Sequence, residues 1–245
     1  ENVWYILKYN YVGIEMREYI LHGRKKVLQE RSDYLLHGSI SVEIHNQLPE
    51  SVSLPTVLKK VESLLPRKYF SGLKKIMIKD LDEFKERGIN ALYHEGVLYI
   101  TSDQDGEDDL IDDIVHEIGH HLETTNVMNI YADGLLEEEF LKKRKELHFE
   151  LHSEGYETPP GFLSNLKYDE NIDNYLYKRI GYSTLRSFGL GIFLGPYSAT
   201  SLREYFANGF AAFYLGQMND VKDVSPRLYK KIVDLHNSEP KQEKR

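Results

Sequence analysis

The sequence predicts an α+β fold, in which a small mixed sheet leads into a long amphipathic helix and then a mainly helical second half. Three observations predict it. Strand-like text with turn signals is confined to the stretch ending at Ile100. A 3.6-residue apolar period then runs through Leu110, Ile111, Ile114, Val115, Ile118 and Leu122. From Asn126 to Tyr197 the chain reads as mainly helical and charged. With 245 residues, 41% of them hydrophobic, it can bury a sizeable core as one elaborated domain or two small ones.

Residues 1–52 read as a β-rich N-terminal segment or an elaboration packed on the main domain. They hold an apolar run (Val3, Trp4, Tyr5, Ile6, Leu7), a charged break around His22, Gly23, Arg24, Lys25 and Lys26, and an alternation through Ile40, Val42 and Ile44. The main domain is expected over residues 53–237. It opens with a helix over 54–69 and a strand over 73–79; after a polar connection, a hairpin turns at Glu95 and Gly96 into Val97, Leu98, Tyr99 and Ile100. The acidic run from Ser102 to Asp109 supplies N-cap candidates and first-turn carboxylates for the next helix, where negative charge complements the helix dipole. Lacking EF-hand spacing, this run reads as a solvated helix start.

A charged helix over 135–152 comes next, then a break at Thr158, Pro159, Pro160 and Gly161. Within that helix His148 and His152 repeat an i, i+4 spacing, but the acid between them is misplaced and Lys and Glu surround them, so they read as a solvated face. Tyr168, Asp169, Asp173 and Tyr175 lie in a polar stretch of no recognisable geometry. The long segment 126–196 is expected to form the lower wall of a cleft. Residues 238–245 read as a disordered tail.

The stretch carrying most chemistry is His116, Glu117, Ile118, Gly119, His120, His121, a complete H-E-x-x-H. On a helix the two histidines at i and i+4 lie about 40° apart around the axis and one turn apart along it, so both imidazoles reach one cation. Glu117 then stands beside that cation without being forced to bind it. Two neutral nitrogen ligands, an open position for water and a carboxylate to take its proton are what a hydrolytic zinc site requires, so the first reading is a zinc peptidase. The helical context fits, because Asp113, His116, Glu117, His120 and Glu123 gather opposite the apolar back.

Such a site needs a third protein ligand, and Glu204 is the best candidate. It lies in the first turn of a helix capped by Ser201, off the apolar stripe of Leu202, Phe206, Phe210 and Phe213, while Ala207, Ala211 and Ala212 let another helix come close. Tyr197 precedes it, after the turn signal Gly195-Pro196. A phenol above the metal can donate to a developing oxyanion, an effect of about 2.7–4 kcal/mol when one such donor is removed. Residues 91–101 are the candidate edge strand for holding an extended peptide by main-chain hydrogen bonds. His94 within it reads as a hairpin-tip or sheet-face residue.

Together, H-E-x-G-H, a distant tyrosine and then Glu204, Tyr205, Phe206, Ala207 and Phe210 in the pattern E-Y-F-A-x-x-F resemble the gluzincin family that contains the anthrax lethal factor catalytic domain and the Pro-Pro endopeptidases. The resemblance covers residues 55–235, with only the two motif helices specific. It implies a zincin-like metallopeptidase fold with an active-site helix and a mainly helical lower lobe. It further implies one Zn²⁺ per chain on His116, His120 and Glu204, with Glu117 as general base and Tyr197 as oxyanion-stabilising phenol. Glu123 falls where the family also carries an acid, either to orient a ligand or as a plain surface carboxylate. About 75 residues separate His120 from Tyr197, more than in the smallest members, and Asn208-Gly209 stand where the pattern has an acid and a small residue. A second resemblance is to the ImmA/IrrE-type repressor-cleaving peptidases, whose two motifs sit closer together.

Composition bounds the alternatives. A net charge of −8 and the lack of a basic, aromatic-interleaved stripe argue against nucleic acid as partner. No apolar run approaches the roughly 18 residues that would span a membrane. The absence of cysteine excludes disulfides, thiolate ligands and a cysteine nucleophile, and leaves the compartment open. The start at Glu1 rather than Met fits a processed or excised piece of a larger polypeptide or assembly. The expected partner is a peptide or protein substrate. A non-catalytic zinc-stabilised binding or structural module is the competing class, and hydrolysis of something other than a peptide stays open. Glu117 and Tyr197 are unnecessary to a structural site, which favours the enzyme.

Overall fold

The computed structural model describes residues 34–238. The expectations for residues 3–7, for 22–26 and for the tail beyond Ser238 lie outside the described residues. Five short strands build one mixed sheet in the order β1-β2-β3-β5-β4, with β1 Tyr34–Leu36, β2 Ile40–Ile44, β3 Lys75–Ile78, β4 Ala91–His94 and β5 Val97–Ile100. β1 with β2 and β4 with β5 are antiparallel, while β3 runs parallel to both neighbours. The alternation at Ile40 and Val42 therefore feeds the same sheet as the later hairpin. Its residues obey the strand period of two: Ile40, Val42, Ile76, Ile78, Leu98 and Ile100 are buried on one face. The central strand β3 also buries Met77 on the other.

Helix α1, Leu54–Leu64, carries the chain from β2 to β3. It stops short of the expected 54–69 because Pro66 disfavours helical backbone at the residue before it. Leu65 is accordingly extended, at φ −109 and ψ 129, and a 3-10 turn continues over Arg67–Phe70. After α2, Asp82–Arg87, comes the β4–β5 hairpin. Its Glu95 and Gly96 sit at φ 47 and 85, the paired left-handed conformations of a two-residue turn that matches strand twist. The Thr101 N–H donates to the Asn90 carbonyl at 2.8 Å, so by antiparallel alternation Ala91 and Tyr93 turn their N–H and C=O away from β5. β4 is the sheet edge, and those groups face outward.

Helix α3, Glu107–Thr125, carries the histidine motif. Its N-cap is Gly106, which offers no side-chain cap, so charge on Glu107, Asp108 and Asp109 against the helix dipole stabilises this end. The apolar back is buried as expected, against α1 and the hairpin. Next come α4, Val127–Tyr131, α5, Leu135–Ser153, and α6, Glu170–Asn174, which runs on into a π-helical segment over Tyr175–Ile180. α7, Tyr182–Phe188, a 3-10 turn over Pro196–Ala199, α8, Leu202–Tyr214, α9, Met218–Val224, and α10, Pro226–Asn237, complete the described chain.

α5 is charged but not solvated on every face: Glu139, Lys143 and Arg144 are buried. Each has partners that meet the cost of burial. The Arg144 guanidinium donates to the carbonyls of Ala199, Phe162, Asn165 and Thr200 at 2.7–3.0 Å and lies between the Phe140 and Phe162 rings. Glu139 accepts from the Arg227 and Leu228 N–H groups in the first turn of α10, replacing the cap that Ser225 does not supply.

α8 lies across α3 on the side away from the sheet. The crossing is tight at Gly119, where an added Cβ would fall 3.0 Å from the Ala207 Cα and 3.3 Å from its Cβ. Phe206 and Phe210 are fully buried beside it, each burial worth about 1.5–3 kcal/mol. Gly119→Ala should therefore lower the unfolding free energy by about 1–3 kcal/mol, because the new methyl meets backbone that cannot step aside. Urea denaturation checks this against Gly195→Ala, whose Cβ would meet nothing within 4 Å and which should be nearly neutral.

Candidate metal centre

His116 and His120 project from α3 toward the first turn of α8. The Ser201 hydroxyl accepts from the Glu204 N–H at 3.2 Å, the expected N-cap, and fixes the turn that presents Glu204. The Glu204 carboxylate then spans both imidazoles: Oε2 is 3.2 Å from His116 Nε2 and Oε1 is 3.3 Å from His120 Nε2. All three donor atoms lie within 4.8 Å of one another, and no other His, Asp or Glu group among the described residues is so arranged.

The donor set fits a divalent cation. A tetrahedral ion about 2.1 Å from each donor would set neighbouring donors about 3.4 Å apart, close to the two His–Glu separations. Glu204 Oε2 and Glu117 Oε2 are buried without a hydrogen-bond partner. Orphaned acceptors of this kind cost roughly 1–3 kcal/mol each unless something satisfies them. Glu204 Oε2 lies near His116 yet outside hydrogen-bond geometry, as expected of lone pairs converging on one point.

Behind His120 stands Glu123, whose Oε2 is 3.5 Å from His120 Nδ1, long for a hydrogen bond. It is buried, not a plain surface carboxylate, and is held by the Tyr131 hydroxyl at 2.9 Å and Arg203 Nε at 2.8 Å. His121, the residue after the motif, is buried on the sheet side. Its Nε2–H donates to the Ser71 carbonyl at 2.9 Å and its Nδ1 accepts from the Tyr93 hydroxyl at 3.2 Å. Burial lowers its pKa, so it stays neutral and ties edge strand β4 to α3.

Without a cation the site is electrostatically strained toward one. Burial opposes ionisation of Glu204, but the charges of His120 and His116, whose rings lie against it, hold its carboxyl well below the usual range. Burial likewise opposes charge on His120, yet Glu204, Glu123 and Glu117 push it up to about 10. A proton on His120 thus competes with a metal, and metal binding must release it. Glu117 is raised, by burial first and by the Glu204 charge; His120, His116 and the Tyr93 N–H act in the other direction.

The group opens into a cleft of about 560 Å³ between β4, α3, α8 and the turn carrying Tyr197. His116, Glu117, His120, Tyr197 and Glu204 all line it, so the five residues singled out in the sequence come together. His94 is exposed at the end of β4. His148 and His152 stack at 5.9 Å, with His148 Nδ1 bonded to Thr158 Oγ1, and belong to no metal-binding group among the described residues. Tyr182 escapes sequence reasoning. It lines the cleft edge-on to Tyr197 at 6.3 Å, and burial, with the charges of Asp173 and Glu204 among its neighbours, raises its pKa. Nothing in the sequence separates it from the other tyrosines among 18.

No protein-family model, curated protein or solved structure matches the chain. Fold and site by themselves define the class: an α+β protein with a His-His-Glu group able to hold a metal ion at the floor of an open cleft.

Asp113 gives a test of this electrostatic picture. Burial, then Asp112 and Glu117, raise its pKa to about 6, against the Gln104 amide that donates to it at 2.9 Å and the nearby His116. Its folded pKa exceeds the unfolded value, so its ionisation destabilises the fold fully above about 6, and the penalty fades as pH falls toward the ordinary value of 3.8. Asp113→Asn should stabilise the metal-free protein at pH 7 by roughly 2 kcal/mol in urea unfolding, with the gain gone near pH 4.

Proposed function

We propose that the chain is a zinc-dependent endopeptidase with a zincin-like, lethal factor-like gluzincin architecture. One observation carries the reading: His116, His120 and Glu204 converge while the buried, unpartnered Glu117 Oε2 stands beside them in a cleft bounded by an open strand edge. A purely structural ion is closed in by four protein ligands and has no use for an adjacent base or a cleft. Three ligands of the His-His-Glu type, with space beside them, suit zinc in a hydrolytic role. When bound, the ion would polarise the scissile carbonyl and lower the pKa of its water.

The remaining work falls to named groups of the chain. Glu117 takes the water's proton at its free carboxylate oxygen and returns it to the leaving amine. The Tyr197 phenol donates to the oxyanion of the tetrahedral intermediate. The outward N–H and C=O of Ala91 and the outward C=O of Tyr93 hold an extended peptide as an added strand, while the Tyr93 N–H is taken by the Glu117 carboxylate. The His121–Tyr93 hydrogen bond keeps that strand at a fixed height over α3. Glu123, itself held by Arg203 and Tyr131, steadies His120 from behind.

Glu117→Gln should keep zinc and lose turnover by about 10²–10⁴-fold, measured by mass spectrometry on a diverse peptide library beside the wild type. Undiminished cleavage by the zinc-loaded variant would sink the proposal. Tyr197→Phe should leave zinc affinity nearly unchanged and slow the chemical step by about 10²–10³-fold. Chelation should lower the melting temperature while leaving the chain folded; loss of the fold on chelation would instead identify a structural metal.

A further inference from the structure

Past Tyr197 the cleft runs into a pocket of about 30 Å³ walled by Ile89, Tyr168, Asp173, Tyr177, Tyr182 and Tyr197. Ile89, Tyr168, Tyr182 and Tyr197 line both spaces, so the pocket opens from the cleft. Its construction is specific. The Tyr168 hydroxyl donates to Asp173 Oδ2 at 3.0 Å, the Tyr177 ring lies 5.1 Å from Tyr182, and Tyr182 lies 6.3 Å from Tyr197. Four phenol rings and one carboxylate thus share a single small space. Tyr177 is delivered by the π-helical segment Tyr175–Ile180, a geometry that is rare and concentrates at functional sites. The Asp169 side chain caps the start of the preceding α6, which fixes the approach of that segment.

Aromatic faces attract cations through their quadrupoles, and a carboxylate at the same place strengthens the attraction. The Asp173 charge is felt inside the pocket, where it joins burial in raising the Tyr182 pKa. Across the cleft the wall is acidic too, at Asp112 and Asp113, and the one Arg or Lys among the described lining residues, Arg203, is paired with Glu123. Volume then chooses the kind of cation. About 30 Å³ of cavity, against the roughly 10–15 Å³ that one water needs, suits a compact ammonium group with its last methylene better than a planar guanidinium of four heavy atoms.

We propose that this pocket is a subsite for the primary ammonium of a lysine side chain in the substrate. The peptidase reading enters only in making the occupant part of a peptide; the ammonium site rests on the pocket itself. Two measurements separate the two ideas. In a peptide library cleaved by the zinc-loaded protein, lysine should be favoured at one position near the scissile bond by about tenfold over both norleucine and arginine. Asp173→Asn and the exposed-site variant Tyr177→Leu should each erase that preference. Cleavage without a lysine preference, or with proline or an aromatic residue preferred there, overturns the subsite and leaves the peptidase standing. Independently of turnover, n-butylammonium titrated into the whole protein should shift the Tyr177 and Tyr182 ring resonances saturably, with about tenfold weaker binding in Asp173→Asn. Absence of a saturable shift overturns the ammonium site whatever the library does.

Discussion

The contact on which the rest of the site depends is the crossing of α3 and α8 at Gly119 and Ala207. His116 and His120 flank Gly119 on one helix, and Glu204 lies just before Ala207 on the other, so the backbone separation at this point sets the reach from carboxylate to imidazole. With no Cβ at 119, the helices approach until Glu204 bridges both histidines at 3.2 and 3.3 Å. The other side of α8 is set by a second glycine. A Cβ at Gly209 would fall 2.1 Å from Leu228 Cδ2, so α10 also packs close, and α8 is held between two neighbours with little freedom to recede. This gives the Asn208-Gly209 pair a packing role where the lethal factor-like pattern has an acid. The Asn208 amide bonds back to the Glu204 carbonyl at 2.8 Å.

The parts of the site that could be read from the sequence are those whose information is local. Two histidines on one helix face, a carboxylate in a capped first turn and a Glu-Gly hairpin all derive from helix and strand periods over a few residues. The early end of α1 is equally local, written in Pro66. The second half of the chain resists such reading because its side chains answer to distant partners. Lys143 and Arg144 look like a solvated face until the carbonyls of Ile192, Val224, Phe162, Asn165, Ala199 and Thr200 are brought to them. Tyr177 and Tyr182 acquire meaning only when the chain path sets them beside Tyr197, and a tyrosine-rich composition hides them.

Charge distribution around the metal-binding group obeys one rule. Carboxylates at Asp113, Glu117, Glu123 and Glu204 crowd around two imidazoles, and the arrangement satisfies itself by taking up positive charge. Without an ion, the surrounding carboxylates push His120 up against its burial, while burial first and then the charges of Asp112 and Glu117 let Asp113 hold its proton to about 6. The centre is thus built for a cation before any ligand arrives, and packing against the sheet and α8 keeps solvent from relieving the imbalance.

Arg144 divides the molecule mechanically. Its guanidinium gathers carbonyls from the segment at Phe162 and Asn165 and from Ala199 and Thr200, just after Tyr197 and just before the Ser201 cap. Freeing any one of these strands a buried donor, so the floor of the cleft and the start of α8 must loosen together or not at all. Facing this floor is a four-residue edge strand anchored by its hairpin turn and the His121 bond. The two walls of the cleft are therefore pinned independently, the lower by Arg144 and the upper by the hairpin and His121, so its height is set before any occupant enters.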